Sequence, residues 1–175
     1  MVTIALATEN DISQVLEIEQ EAFSPPWTRD ALLGEIGKND SFFVIAKDTT
    51  EPSPCARHRT VPCLTNKAEE PSPCFIAGFA IMRQVGDDGE LLKIAVDNSA
   101  RGKGIGDLLM KAILEEAKRK AFPSVFLEVR SSNTAAIRLY EKHGFNTVRV
   151  RKDYYNDPVE DAIVMCQENR PLDTR

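Results

Sequence analysis

Three glycines at alternate positions place the tightest local constraint on this chain. They stand in Arg101-Gly102-Lys103-Gly104-Ile105-Gly106, between the apolar run Leu92 to Val96 and the most regular amphipathic stretch of the sequence. There Ile105, Leu108, Leu109, Ala112, Ile113 and Ala117 keep the i, i+3, i+4, i+7 spacing of one buried helical face. Lys118, Arg119 and Lys120 fall in the last turn, where they complement the negative end of the helix dipole. A strand that runs through glycines into a helix predicts an α/β unit. Its backbone can pass close to a ligand, and the first N–H groups of the helix aim at an anion. Two common phosphate loops do not fit. A Walker loop needs Gly-Lys-Ser/Thr, but Gly104 follows Lys103, and the dinucleotide fingerprint needs glycine where Asp107 stands. Taken by itself, the loop reads equally as a glycine-rich turn that binds nothing.

The rest of the chain alternates in the same way. Val2 to Ala7 reads as a short strand, and Thr8 with Asp11 forms a capping-box-like pair that opens a helix to about Phe23. Ser24-Pro25-Pro26 stops it. Thr28 caps a second helix, Arg29 to Ile36, which ends at Gly37. Ser41 to Lys47 is strand-like, and Phe75 to Val85 and Glu90 to Val96 form a hairpin across Gly86-Asp87-Asp88-Gly89, where the Asp-Gly pair favours a tight turn. Ser124 to Val129 is a strand, Asn133 caps a helix from Thr134 to His143, and Gly144 ends it. Phe145 to Arg151 and Ala162 to Cys166 complete the strands. Helices alternating with strands that include hairpins predict an α/β three-layer sandwich around a mixed, mostly antiparallel sheet.

One stretch does not belong to this pattern. Residues 48–73 hold five of the ten prolines, no aromatic residue, and the string Glu51-Pro-Ser-Pro-Cys55, which recurs as Glu70-Pro-Ser-Pro-Cys74. Such a composition buries too little apolar surface to offset its ordering entropy, and it reads as a flexible insertion between two strands. The 175 residues then form one domain, 1–175, carrying that insertion. Cys55, His58, Cys63 and Cys74 cluster there, but their irregular gaps lack the paired spacing of a zinc site, so no metal is assigned.

Composition excludes several functions. Twenty-two Lys and Arg against 27 Asp and Glu leave a net charge of −5, so binding to a nucleic-acid backbone has no global charge in its favour. No apolar run is long enough to span a bilayer, and the N-terminus lacks a basic region followed by an apolar block. Four irregularly spaced cysteines do not make a disulfide framework, and cytoplasmic residence is expected.

Two side chains bear on chemistry. In Val125-Phe126-Leu127-Glu128-Val129, alternation puts Phe126 and Glu128 on one face and the aliphatic residues on the other. A glutamate inside such a strand is partly desolvated, an environment that suits a general base. It reads equally as a sheet carboxylate paired with Arg130 or Lys142. Tyr140 follows core spacing with Ala136, Leu139 and His143 and reads equally as a packing residue. His143 reads as a capping or packing residue at a helix C-terminus.

Arg-x-x-Gly-x-Gly after Leu92-Lys93-Ile94-Ala95-Val96 and before an amphipathic helix resembles the acetyl-CoA motif of the GCN5-related N-acetyltransferases (GNAT). With Leu127-Glu128-Val129-Arg130, Asn133 to Arg138, Leu139-Tyr140-Glu141, His143-Gly144-Phe145 and Tyr154-Tyr155, the chain resembles the bacterial ribosomal-protein-alanine branch of that family. The likeness runs from about Thr3 to Cys166 and skips the insertion. It implies a GNAT-like fold and acetyl-CoA as cosubstrate. Ile94, Ala95 and Val96 would meet the pantetheine arm, and the main chain of Gly102, Lys103, Gly104, Ile105, Gly106 and Asp107 the diphosphate. Asn133 would contact the cofactor through its side chain. Asp107 puts a carboxylate beside that diphosphate and is expected to point to solvent. Glu128 would accept the proton of the incoming amine and Tyr140 would donate one to the leaving thiolate. Trp27, Tyr154 and Tyr155 are expected to line a peptide groove. The neighbouring Glu160-Asp161 either attracts a cationic N-terminus or forms an exposed turn, and Trp27 reads equally as a loop anchor. The implied partner is the N-terminal alanine of a small-subunit ribosomal protein, with neither nucleic acid nor membrane. The alternatives are a GNAT enzyme for a small amine or a lysine, and a non-catalytic coenzyme-A-binding subunit.

Overall fold

The computed structural model describes residues 1–49 and 74–169, so the cluster Cys55, His58 and Cys63 and all but Asp48 and Thr49 of the stretch 48–73 lie outside the described residues. Seven strands form one sheet: β1 (Val2–Leu6), β2 (Ser41–Asp48), β3 (Phe75–Val85), β4 (Asp88–Val96), β5 (Ser124–Arg130), β6 (Asn146–Asn156) and β7 (Val159–Glu168). They lie in the order β1-β2-β3-β4-β5-β7-β6. Every neighbour is antiparallel except β4 and β5, which are parallel because α3 (Ile105–Arg119) crosses between them. The apolar stripe of α3, with Leu109, Met110 and Ile113 fully buried, packs on one face of the sheet, and Tyr140 of α4 (Thr134–Lys142) joins the same cluster. Ile12, Val15 and Ile18 of α1 (Ile12–Ala22) and Leu32 of α2 (Arg29–Leu33) cover the other face over Phe43, Ile45 and Phe79. The result is the three-layer α/β sandwich expected from the sequence.

The sheet is split where β4 leaves β5. They pair only at Gly89↔Val125, Glu90↔Phe126 and Leu91↔Leu127, although β4 stays paired with β3 to Val96 and β5 with β7 to Arg130. The split begins at a bulge, where Lys93 and Leu91 face the consecutive β3 residues Ile81 and Met82 and Leu92 is the extra residue. Beyond it, the main chain of Ile94 to Val96 presents an open edge towards β5.

Several local boundaries differ from expectation. The β3–β4 turn is Gly86-Asp87, with Gly86 at φ 62°, and Asp88 and Gly89 already belong to β4. The α2 helix stops at Leu33, because the next amides bond three residues back (Glu35 N–H to Leu32, Ile36 N–H to Leu33) and the buried Glu35 side chain is drawn to Arg83 and Lys38. Strands β6 and β7 run past Arg151 and before Ala162. Polar residues that mask a strand pattern are paired across them, as with Lys152 Nζ to Asp161 Oδ2 at 2.6 Å.

Gly78 is where β3 meets the open part of β4. A Cβ there would stand 2.6 Å from the Ala95 carbonyl oxygen and 3.2 Å from Val96 Cα, both backbone atoms. Gly78→Ala is expected to cost about 1–3 kcal/mol of stability, read from urea unfolding, as overpacking that a side chain cannot relieve. An unchanged midpoint would contradict this geometry.

Candidate active site

A cleft of about 500 Å³ opens at the split. Ile94, Ala95 and Val96 line it from β4, Gly106 from α3, and Glu128 from β5. Asn133 and Tyr140 line it from α4 and its N-terminus, Trp27 from the α1–α2 loop, and Tyr154 and Tyr155 from β6. Ten of the fifteen site positions read from the sequence thus meet in one cavity. Gly102, Lys103, Gly104, Ile105 and Asp107 do not line it, and Ile105 is a buried core residue.

The loop before α3 adopts the conformation its glycines permit. Gly102 and Gly104 have φ of 74° and 78°, and Gly104 is the N-cap of α3. The first-turn amides of Ile105, Gly106 and Asp107 have no helical carbonyl to meet and point out of the helix end. Gly106 also admits α4, for a Cβ there would lie 3.1 Å from Leu139 Cδ2. Asn133 Oδ1 accepts the Ala136 N–H at 3.2 Å, which makes it the α4 cap anticipated from sequence.

Asp107 does not point to solvent, and that expectation is corrected. Its Oδ1 lies 2.8 Å from Lys142 Nζ and 3.0 Å from His143 Nε2, at the end of α4. The Lys142 ammonium chiefly, then the His143 ring, hold the Asp107 carboxyl below the ordinary aspartate range. The carboxylate is thereby neutralised beside the amides of the α3 N-terminus.

Glu128 is 24% exposed, and its Oε1 lies 2.5 Å from Arg151 Nη1, a partner different from Arg130 and Lys142. The Tyr154 phenol is raised chiefly by its hydrogen bond to Glu128. Tyr140 serves both readings, being buried against Phe145 with ring centroids 6.0 Å apart and also lining the cleft. Burial, with Tyr155 adding, pushes its phenol far above the ordinary tyrosine value, so it holds its proton at neutral pH.

Tyr154 and Tyr155 are consecutive, and a regular strand would send them to opposite faces. They reach one cleft because the β6 register shifts between Arg151 and Tyr155, with Asp153 at φ 50° and its N–H on Asp161 Oδ1 at 3.0 Å. Arg130, offered by the sequence only as a partner for Glu128, organises this end. Its guanidinium lies 4.1 Å from the Tyr155 ring centroid, donates to the Asp157 carbonyl at 2.9 Å and lies 3.3 Å from Glu160 Oε2. The strand alternation that put Glu128 on the cleft face also puts Arg130 there, which is the signal that could have found it. Arg151 carried no such signal. Nor is the acidic pair a free attractor: Asp161 is bound by Lys152, and Glu160 by Arg130 and the serines at the start of the loop to α4.

Glu160 accepts the Ser132 N–H at 2.5 Å and the Ser131 hydroxyl at 3.0 Å. The Ser132 N–H chiefly, with the serine hydroxyls and Arg130, lowers its carboxyl to about 2. A carboxyl lowered on folding stabilises the protein above its unfolded value, and that contribution is lost as pH falls towards the folded one. The stability gap between wild type and Glu160→Gln is therefore expected to close between pH 4.5 and about 2, measured by thermal melts across that range. A gap independent of pH would contradict the assignment.

The profile of the acetyltransferase (GNAT) family matches residues 12–145. A ribosomal protein bS18-alanine N-acetyltransferase of Salmonella typhimurium is 31% identical over 168 residues, 95% of this chain and 97% of that protein. A Bacillus subtilis protein named putative ribosomal protein bS18-alanine N-acetyltransferase is 32% identical over 89% of this chain and 87% of its own length. The crystal structure of the ribosomal-protein-S18-alanine N-acetyltransferase from Escherichia coli superposes with a TM-score of 0.72 at 30% identity, covering 96% of this chain and 94% of that one. From its profile, its relatives and its split sheet alike, the chain belongs to the acetyltransferase (GNAT) family.

Proposed function

We propose that this protein transfers the acetyl group of acetyl-CoA to the α-amino group of an N-terminal alanine on a small-subunit ribosomal protein, by direct attack within a ternary complex. The observation that carries this reading is the cleft itself. It has an open strand edge at one end, aromatic side chains at the other, and a carboxylate and a protonated phenol on its walls. The relatives named for this reaction on ribosomal protein bS18 support the choice of acceptor.

The residues present fit acetyl-CoA. The unpaired edge of Ile94 to Val96 suits the amide-rich arm, which would add as a strand-like partner. The amides of Gly102 to Asp107 at the α3 N-terminus suit a diphosphate, and Lys142 and His143 remove the repulsion that Asp107 would otherwise exert. Asn133 adds a polar side chain to the same wall. When bound, acetyl-CoA supplies an activated thioester. Glu128, held by Arg151, accepts the proton of the incoming amine, directly or through a water. Tyr140 gives its proton to the departing thiolate. Trp27, Tyr154 and Tyr155 orient the peptide. Neither Cys74 nor Cys166 lines the cleft, so no thiol among the described residues intervenes.

The choice of amine follows from proton cost. An α-amine titrates near ~7.8 and a lysine near ~10.4, so presenting lysine neutral costs roughly 3.5 kcal/mol more. One carboxylate meets the smaller demand more easily. An acceptor of this class places the enzyme in the cytoplasm. Among the described residues, no helix is long and apolar enough to cross a membrane.

Mass spectrometry on an alanine-first peptide and on its N-blocked, lysine-containing counterpart tests the reading. Acetylation of the free N-terminus is expected, and acetylation of the blocked peptide alone would overturn it. Glu128→Gln and Tyr140→Phe are each expected to lower kcat by about 10²-fold or more, with coenzyme A affinity nearly intact. Unchanged turnover would remove that residue from the chemistry.

A further inference from the structure

Lys93 is a cation on the cleft wall to which the transfer chemistry gives no task. Its side chain leaves β4 beside the bulge and runs to α1, where Nζ lies 2.8 Å from Glu19 Oε1. Glu19 is fully buried, and the same oxygen accepts the Trp27 main-chain N–H at 2.8 Å. The ammonium also sits 3.8 Å from the Phe23 ring centroid and 5.2 Å from that of Trp27. Phe23 and Trp27 belong to the loop that joins α1 to α2 and forms one wall of the cleft. That loop has no strand ladder to hold it, so its place depends on such side-chain contacts.

The arrangement is a poor one for stability alone. Desolvation of a buried ion pair commonly cancels its Coulomb gain, and apolar side chains of like volume fill such a site as well or better. Glu19 Oε2 is, in addition, buried without a hydrogen-bond partner among the described residues. What the pair provides is direction. One carboxylate oxygen fixes the Trp27 backbone while the ammonium it binds lies against both rings of the wall. Tyr154 and Tyr155 line the same cleft, and Arg130, which packs on Tyr155, also reaches the Ser24 carbonyl at 3.5 Å. The α1–α2 loop is therefore held by side chains from both split strands, Lys93 of β4 through Glu19 and the rings and Arg130 of β5 through Ser24.

We propose that Lys93 and Glu19 are positioning residues that set the wall of Phe23 and Trp27 at the peptide end of the cleft. In doing so they restrict the first residue of the acceptor to a small side chain. The proposal rests on the N-terminal acetylation reading for its substrate, but not for its structural half.

Trp27 is the single tryptophan of the chain, so its fluorescence reports the wall without any turnover. The test compares the full-length wild type with Glu19→Leu/Lys93→Met, which removes both charges and keeps apolar bulk. Acrylamide quenching of Trp27 is expected to rise about twofold or more, with the melting temperature kept. The KM for an alanine-first peptide should rise about tenfold, the preference for alanine-first over phenylalanine-first peptides should fall about tenfold, and the KM for acetyl-CoA should stay within about twofold. Lys93→Arg retains the charge over the rings and should restore wild-type quenching and preference. If the double variant does not fold, Lys93→Gln gives the same readings at smaller size. A folded variant with unchanged quenching overturns the proposal, and raised quenching with unchanged preference overturns its specificity claim. A wild type silent on every free peptide N-terminus refutes the acetylation reading, while the quenching still decides whether the pair holds the wall.

Discussion

The parallel pairing of β4 with β5 ends after three residue pairs, and the cleft is a consequence of where it ends. Buried backbone N–H and C=O groups need partners, so an unpaired edge inside a sheet is tolerated only where something else can meet it. Here β3 continues to hold β4, and β7 continues to hold β5, so each strand keeps one ladder partner where their own pairing stops. The bulge at Leu92 starts the divergence and sends Lys93 to one face and Ile94 to the other. A ligand shaped like a peptide strand can replace the missing partner of β4, and the glycine loop at the end of the same strand is placed for an anion attached to it.

Around that gap the charges are arranged in opposed pairs. Glu128 faces Arg151, Lys93 faces Glu19, Arg130 faces Glu160, and Asp107 faces Lys142 with His143. Apart from Arg130 with Glu160, these pairs join elements that the backbone ladder does not join directly. Asp107 ties the first turn of α3 to the end of α4, two residues beyond Tyr140, so the N-terminus of α3 and the helix that carries the phenol are referenced to one another. Glu160 and Arg130 extend the contact of β7 with β5 beyond the last ladder pair, Arg130↔Ala162. The partly exposed pairs among them contribute little to stability.

What could be read from the sequence was what local pattern encodes. The alternating glycines, the α3 stripe and the Asn133 cap are contained in short windows, and the structure has each in place except that Leu108 of the stripe is exposed, with Met110 buried instead. The GNAT resemblance added Glu128, Tyr140 and the aromatic pair, which the fold brings to one cavity. The partners of these residues were not legible. Arg151 reaches Glu128 past the intervening strand β7, a relation set by the sheet order and by nothing near either residue. The approach of Tyr154 and Tyr155 depends on a non-glycine residue, Asp153, in a left-handed conformation within a bulge. Asp107 was expected in solvent because its own helix shows nothing of where α4 ends. The acidic pair looked free because its partners lie on other strands or in the loop after β5.

The central claim is that the open edge of β4 and the amides before α3 receive the cosubstrate together. Residue-resolved amide hydrogen exchange, with and without acetyl-CoA, measures this directly. Protection gained at Ile94 to Val96 and at Gly102 to Asp107, and not along the opposite edge at β1, is the expected result. Protection at neither segment in the presence of saturating acetyl-CoA would contradict it.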